Sequence, residues 1–415
     1  MGWQEDLSDA QNVGNNRTMA VEPKCEGRGV RAGRRRLALS MLALACVAAS
    51  PLSTLAWPSR PGKATGSAAV PVAVFGTDDR GPLPAKYKDM REKMGLLFSV
   101  RGQSVCTAFC VAPNVVATAG HCLLKVAGER TPRMGEFWFL RNYDAVRDIA
   151  HIAGHTKGMA ALNVMLGSMS LNVNPPIEAT RDWALVRLAR RACTKGVLPI
   201  RVLPVEQILK EAEAKRVFQI AYHRDYTQWK LAYAQPCGVS RSFEHTEWST
   251  ISRDFSDPEA LILHTCDTGG ASSGSPLLID TDGGPAVIGI NVGTYEQSRV
   301  LMQEGKVMKR LKADPVANTA VASSAFAGKL DAFLQAVALS SPAQVRELQT
   351  LLKGRQLFDG KVDGNYGAEL RLAIEAYEKA EGLQATGLAT LAILKRLGGG
   401  VAPVQRARAP RKARS

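Results

Sequence analysis

The sequence predicts an all-β barrel or sandwich followed by a small all-α domain. Two observations carry this. From Arg101 to about Leu334, short apolar runs such as FCVAPNVVATAG, DWALVRL, LILHTC, PLLID and AVIGINVG are broken by Gly, Pro, Asn and Asp. Runs of this length, rich in β-branched residues and bounded by turn formers, are a strand signature. From 342 to 397 the pattern changes, and Val345, Leu348, Leu351 and Leu352 recur at helical spacing. A length of 415 residues suits two folded domains plus tails. With 46% hydrophobic and 22% charged residues, most of the chain can build packed cores.

The first 56 residues read as an export region. RAGRRR at 31–36 is followed by the apolar run LALSMLALACVAAS and then by the small-residue stretch Thr54-Leu55-Ala56. Basic, apolar, small is the order of a secretory signal. An apolar run of about 14 residues is shorter than the roughly 20 that span a bilayer, so no stable membrane span is expected. The acid-containing stretch before Arg31 suggests Met19 as the start, and Arg34-Arg35 matches twin-arginine export only loosely. Residues 57–85, rich in Pro, Gly and Ala, read as a linker. Beyond Cys25 and Cys46 in the leader, six cysteines remain: Cys106, Cys110, Cys122, Cys193, Cys237 and Cys266. An even count in an exported chain points to disulfides, and six cysteines allow 15 pairings. None stands in a CxxC arrangement, so no metal site is expected.

The formal net charge of +15 favours anionic partners in general. Part of it lies in the basic segment QRARAPRKARS at 405–415, which reads with 398–404 as a disordered tail. With no zinc-finger spacing or RNA-binding aromatic motif beside it, nucleic acid is not an expected partner.

Three places in the β region carry chemistry. Strand Val115-Val116-Ala117 runs into Thr118-Ala119-Gly120-His121-Cys122. An imidazole there can take a proton from a hydroxyl and return it near neutral pH. Asp182 begins the strand DWALVRL and can orient that imidazole. The segment Cys266-Asp267-Thr268-Gly269-Gly270-Ala271-Ser272-Ser273-Gly274-Ser275-Pro276 offers a serine in a turn flexible enough to approach a substrate carbonyl.

Together these motifs resemble the chymotrypsin/trypsin-like serine peptidases, with their T-A-[AG]-H-C turn, D-[IW]-A-L strand and G-x-S-G-[GS]-P loop in the order His, Asp, Ser. The resemblance implies two six-stranded β-barrels over about 86–335, with His121, Asp182 and Ser273 as catalytic residues and no cofactor. It implies an oxyanion hole from the N–H groups of Ala271 and Ser273, and a Cys106–Cys122 bridge. For the other cysteines the expectation is Cys237–Cys266 and Cys110–Cys193, with other pairings open. Ile290, Val292 and Gly293 would form an edge strand for substrate. Asp267 lies where trypsin-like enzymes select Lys or Arg; the other reading is a loop aspartate that accepts backbone amides.

The chain departs from the family at two positions. Ala271 stands where glycine is usual, so the turn either strains an alanine or passes to Gly270. Ser272 stands where zymogens carry the aspartate that receives a new N-terminus. His151 and His155, spaced i, i+4 around Gly154, read as loop histidines.

In the C-terminal segment, helical spacing returns at Leu370, Leu372, Ile374 and Tyr377, and again at Leu391, Leu394 and Leu397. Between the helices stand DGKVDGNYG at 359–367 and GLQATG at 382–387. These resemble the three-helix peptidoglycan-binding module. The resemblance implies peptidoglycan as a partner, with Asp359, Asp363 and Tyr366 as candidate contacts. The expected protein is an exported serine endopeptidase, periplasmic or secreted and held at the cell envelope, acting on protein or peptide substrates. The alternative is an inactive pseudo-peptidase that only binds. Oligomeric state is not indicated.

Overall fold

A computed structural model describes residues 73–99, 104–124, 134–143, 148–226, 230–235, 237–243, 246–297, 300–303, 306–310 and 314–398. The expected leader, its two cysteines, the linker up to residue 72 and the tail from 399 lie outside these residues.

Two seven-stranded antiparallel sheets dominate. The two-residue strand β1 (Gly81–Pro82) belongs to the second. The first sheet contains β2 (Met94–Ser99), β3 (Ser104–Ala112), β4 (Val115–Thr118), β5 (Trp138–Arg141), β6 (Asp148–His151), β7 (Val164–Leu166) and β8 (Ala184–Arg187), in the order β6-β5-β2-β3-β4-β8-β7. A bridge between Ile152 and Leu188 draws its β6 end toward β8. The second contains β9 (Val217–Tyr222), β10 (Leu231–Ala234), β11 (Leu261–His264), β12 (Pro276–Ile279), β13 (Ala286–Gln297) and β16 (Asp314–Ala322), in the order β1-β10-β9-β12-β13-β16-β11. A bridge between Val239, five residues past β10, and His264 of β11 draws the β11 edge toward β10. The hairpin β14 (Val300–Gln303) and β15 (Lys306–Arg310) stands apart as a two-stranded sheet. β3, β4, β9 and β12 are buried along nearly their whole length, which is why they read as continuous apolar runs rather than alternating ones.

Three disulfides join Cys106–Cys122, Cys110–Cys193 and Cys237–Cys266. Residues 73–85 differ from the linker that their composition predicts. Ala73 bridges to Thr268, and Arg80 is buried between Asp78 and Asp225. Composition could not reveal this, because the segment is ordered by partners about 150–190 positions away.

The helical segment contains α5 (Pro342–Gly354), α6 (Ala368–Ala380) and α7 (Leu391–Arg396); α1 (Met90–Lys93), α2 (Val205–Glu213), α3 (Trp248–Ile251) and α4 (Ala327–Gln335) precede it in the chain. Ser341 caps α5 and Thr390 caps α7 through their hydroxyls. Val345, Leu348, Leu352, Leu370, Ile374, Tyr377 and Leu394 fill its core, together with Met159 and Leu162 of the β region. Leu372 is 64% exposed, contrary to its place in the expected pattern. Ala373, one position on, takes the core face at 3.6-residue periodicity. The segment is tied to the β region by Lys329 Nζ on Ala385 O (2.7 Å) and Gln384 Nε2 on Gly328 O (2.8 Å). Among the described residues, no helix is long and apolar enough to cross a membrane.

Candidate active site

Strand register brings His121 and Asp182 together. β4 and β8 pair antiparallel with Thr118 opposite Ala184, so the chain leaving β4 and the chain entering β8 meet at one end of the sheet. His121 follows β4 by three residues and Asp182 precedes β8 by two. One carboxylate oxygen of Asp182 accepts the His121 Nδ1–H at 2.7 Å, and the other accepts the His121 backbone N–H at 2.7 Å. Asp182 is 1% exposed, and the two bonds fix the ring's tautomer and its orientation. Gly120 keeps the approach open, since a Cβ there would lie 3.2 Å from Asp182 Oδ1.

The Ser273 loop comes from the other sheet, just before β12, and is moored to the first. Thr107 N donates to Ser273 O at 2.9 Å, and the Thr107 hydroxyl donates to Ala271 O at 2.8 Å. Gly274 has φ +81°, and a Cβ there would fall 2.1 Å from Thr118 Oγ1 and 2.3 Å from Thr107 O. Only glycine lets the loop sit against the strand that leads to His121.

Ala271 adopts φ +75°, so the alanine itself takes the left-handed turn and Gly270 does not. The Cβ costs about 1–2 kcal/mol in this region. Ser272 is buried, and its hydroxyl accepts from Asn291 Nδ2 at 3.3 Å. Asn291 Oδ1 in turn meets His264 Nε2 at 3.1 Å. Burial pushes the His264 pKa down to about 4, so a neutral imidazole carries this link at neutral pH.

Asp267 follows the second of its two readings. It is 2% exposed; Oδ1 accepts the Phe75 N–H and Oδ2 the Asp79 N–H, both at 2.9 Å. Both oxygens are turned to the 73–80 segment, where the carboxylate caps two backbone amides. Asp79 lies beside it, and burial together with the Asp267 charge raises the Asp79 pKa to about 6. His223, fully buried and pushed down to about 3 by burial and by Arg80, accepts the Gly269 N–H at 3.1 Å.

The expected edge strand needs a correction at Ile290. β13 is central, and Ile290 pairs with Pro276 on one side and Val321 on the other. Ile290 and Val292 are fully buried in the core. The β12 register ends at Ile290 while that of β16 runs on to Gln297. Asn291 is still bonded on that side, its N–H to Ser275 O and its C=O to Gly274 N, so the open flank begins after Asn291, and the backbones of Val292 and Gly293 are the candidates that remain on it.

His151 and His155 stack with centroids 4.3 Å apart and planes 12° apart, and His155 Nδ1 donates to Ile152 O. Burial and the neighbouring His155 lower the His151 pKa. Parallel rings do not point two nitrogens at one ion. Among the described residues, one cluster has three metal-ligand residue types, Cys106, His121 and Cys122. Its sulfurs are joined to each other and are not available to a metal.

In the helical segment, the proposed contacts Asp363 and Tyr366 are taken up internally. Asp363 accepts from Gln349 Nε2, Asn365 N and Asn365 Nδ2, and the Asn365 bonds foremost hold its pKa down to about 2. The Tyr366 hydroxyl donates to Gly387 O at 2.7 Å. Asp359 and Asp363 are both exposed.

Two family models match parts of the chain. Residues 106–290 match the family described as trypsin-like peptidase domain, and this region is a serine-type endopeptidase domain of that class. Residues 341–397 match the family described as putative peptidoglycan binding domain, so the chain joins a trypsin-like serine peptidase to a peptidoglycan-binding module. Among solved structures, a Glu endopeptidase in complex with MPD is 18% identical, with a TM-score of 0.43 over 63% of this chain and 100% of that chain. The thermostable serine protease AL20 from an extremophilic microorganism is 15% identical, with a TM-score of 0.37 over 58% and 95%. The protease Anisep from Arthrobacter nicotinovorans is 14% identical, with a TM-score of 0.36 over 59% and 92%. No curated protein matches significantly.

Sequence reasoning missed Thr107 and the 73–80 segment. The first reads as an ordinary strand residue and the second as linker, and neither carries a local signal.

Proposed function

We propose that this chain is an exported serine endopeptidase in which Ser273, His121 and Asp182 act as the catalytic triad, retained at the cell envelope by residues 341–397. The observation that carries the reading is the double bond-set from Asp182 to the ring and backbone of His121. A buried carboxylate there stabilises the imidazolium as it forms, without itself taking the proton.

Ser273 Oγ attacks the peptide carbonyl carbon while its proton passes to His121 Nε2. The carbonyl oxygen becomes an anion held by the N–H groups of Ala271 and Ser273. As the C–N bond breaks, His121 returns the proton to the leaving amine and an acyl-enzyme remains. Water, deprotonated by His121, then attacks the ester, and Ser273 leaves as the hydroxyl. The oxyanion donors count heavily, since losing one costs about 2.7–4 kcal/mol in comparable enzymes.

Asp267 disfavours selection of Lys or Arg, because it is buried with both oxygens facing the 73–80 segment. The substrate class is protein or peptide in the envelope or outside the cell. Three disulfides support an oxidising compartment. Peptidoglycan is proposed as the ligand of the helical module, with the exposed Asp359 and Asp363 as candidate contacts on its surface.

One observation favours the inactive alternative: Ala271 occupies the strained turn that a glycine would take without cost. Labelling with a fluorophosphonate decides between the two. Label on wild type and none on Ser273→Ala supports the peptidase. A folded, unlabelled wild type overturns it. Co-sedimentation of the full chain with purified peptidoglycan at high salt tests retention apart from bulk charge attraction.

A further inference from the structure

We propose that the Thr107 hydroxyl is the positioning group of the oxyanion turn, holding Ala271 in the left-handed conformation that aims its N–H at the substrate carbonyl. This rests on the peptidase reading above and adds a residue that none of the motifs contains.

Two peptide planes flank the Ala271 Cα, and each is held by its carbonyl oxygen. Gly270 O accepts the Arg224 N–H at 2.6 Å. In a trans peptide the N–H points opposite to the C=O, so this bond turns the Ala271 N–H away from Arg224. Ala271 O accepts from Thr107 Oγ1 at 2.8 Å. Holding both planes fixes φ and ψ of Ala271 together. The direction of the Thr107 bond is set by its partner, because a carbonyl oxygen can only accept and the hydroxyl's one proton must go to it. The Tyr222 N–H donates to the same Oγ1 at 3.1 Å and holds the hydroxyl in place.

Thr107 is fully buried on β3, and its N–H also holds Ser273 O. One residue thus grips the loop on both sides of Ser272. A glycine in place of Ala271 would adopt the turn freely. An alanine returns to negative φ unless its surroundings over-determine the strained state. The Thr107 and Arg224 bonds supply that over-determination together with the turn bond from Ser272 N to Gly269 O at 3.1 Å, and of the three only the Thr107 bond comes from a side chain.

The test compares Thr107→Val, which keeps the shape and removes the donor, with Thr107→Ser, which keeps the donor. Rates are normalised to folded protein. The expected result for Thr107→Val is a fall of roughly tenfold to a hundredfold in kcat and in fluorophosphonate labelling rate, a partial loss of what one oxyanion donor supplies, with KM within about twofold. Thr107→Ser stays close to wild type, and adding Ala271→Gly to the valine variant recovers part of the loss. A kcat for Thr107→Val within about twofold of wild type, or a serine variant as slow as the valine one, overturns the proposal. Thr107→Ala makes the same comparison if valine prevents folding. Crystal structures of wild type and Thr107→Val read the turn without relying on activity. Ala271 at negative φ in the variant supports the proposal, and positive φ retained there overturns it even if the rate falls. A wild type that takes no label defeats the peptidase reading instead, and the crystallographic comparison still decides the role of Thr107.

Discussion

Two polar loops, 267–275 in the peptidase domain and 359–367 in the helical module, show how differently a glycine-rich motif can be used. In the module, Gln349 and Asp363 satisfy the loop's own amides and amide side chain, and Glu378 does the same for the neighbouring turn through Thr386 N, Thr386 Oγ1 and Gly387 N. The motif side chains there are scaffold. In the peptidase loop the anchoring groups come from outside the motif. Thr107 takes Ala271 O, Arg224 N takes Gly270 O, and the carbonyl of Ser273 is also bonded. Its amides are held from elsewhere in the chain as well, Gly269 N by His223 and Gly274 N by Asn291 O, so the peptidase loop takes its shape from its neighbours.

The comparison can be broken by substitution. Asp182→Asn has the largest expected effect, about 10⁴-fold in kcat with the stability little changed, because the amide favours the wrong imidazole tautomer; a loss below tenfold would remove Asp182 from the mechanism. Glu378→Ala, in contrast, should destabilise the module by about 2 kcal/mol, since three donors, one of them buried and two part-buried, lose their acceptor. Urea denaturation of the full chain, followed by a probe in α5 or α6, measures it, and peptidase kcat should not move.

The two loops should also respond oppositely to pH. Asp79 has a raised pKa of about 6, so the native state holds a proton that the unfolded chain releases above about 4. The contact of the 73–80 segment with Asp267 should weaken as pH rises from about 4 to about 6, and hydrogen exchange at Phe75 and Asp79 reads it. Asp79→Asn should abolish the dependence. Asp363 has a lowered pKa of about 2, so its contribution is present above about 4 and is lost as pH falls toward 2. Exchange at the Asn365 amide follows that loss. The smallest expected effect is Leu372→Ala, within about 0.5 kcal/mol, because the side chain lies in solvent.

The sequence by itself determined which residue types meet. His121 and Asp182 were legible as a pair because each lies in a short local signature, and the helical module was legible from apolar spacing and turn residues. Tertiary structure decided how those residues are used. Asp267 proved to be a capping group, Ile290 an interior strand residue, and Ala271 a strained turn, since each outcome depends on partners far away in the chain. Phe75 is 192 positions from Asp267, and Thr107 is 164 from Ala271. Local pattern records what a segment can form, and only packing fixes which distant donor meets which carbonyl.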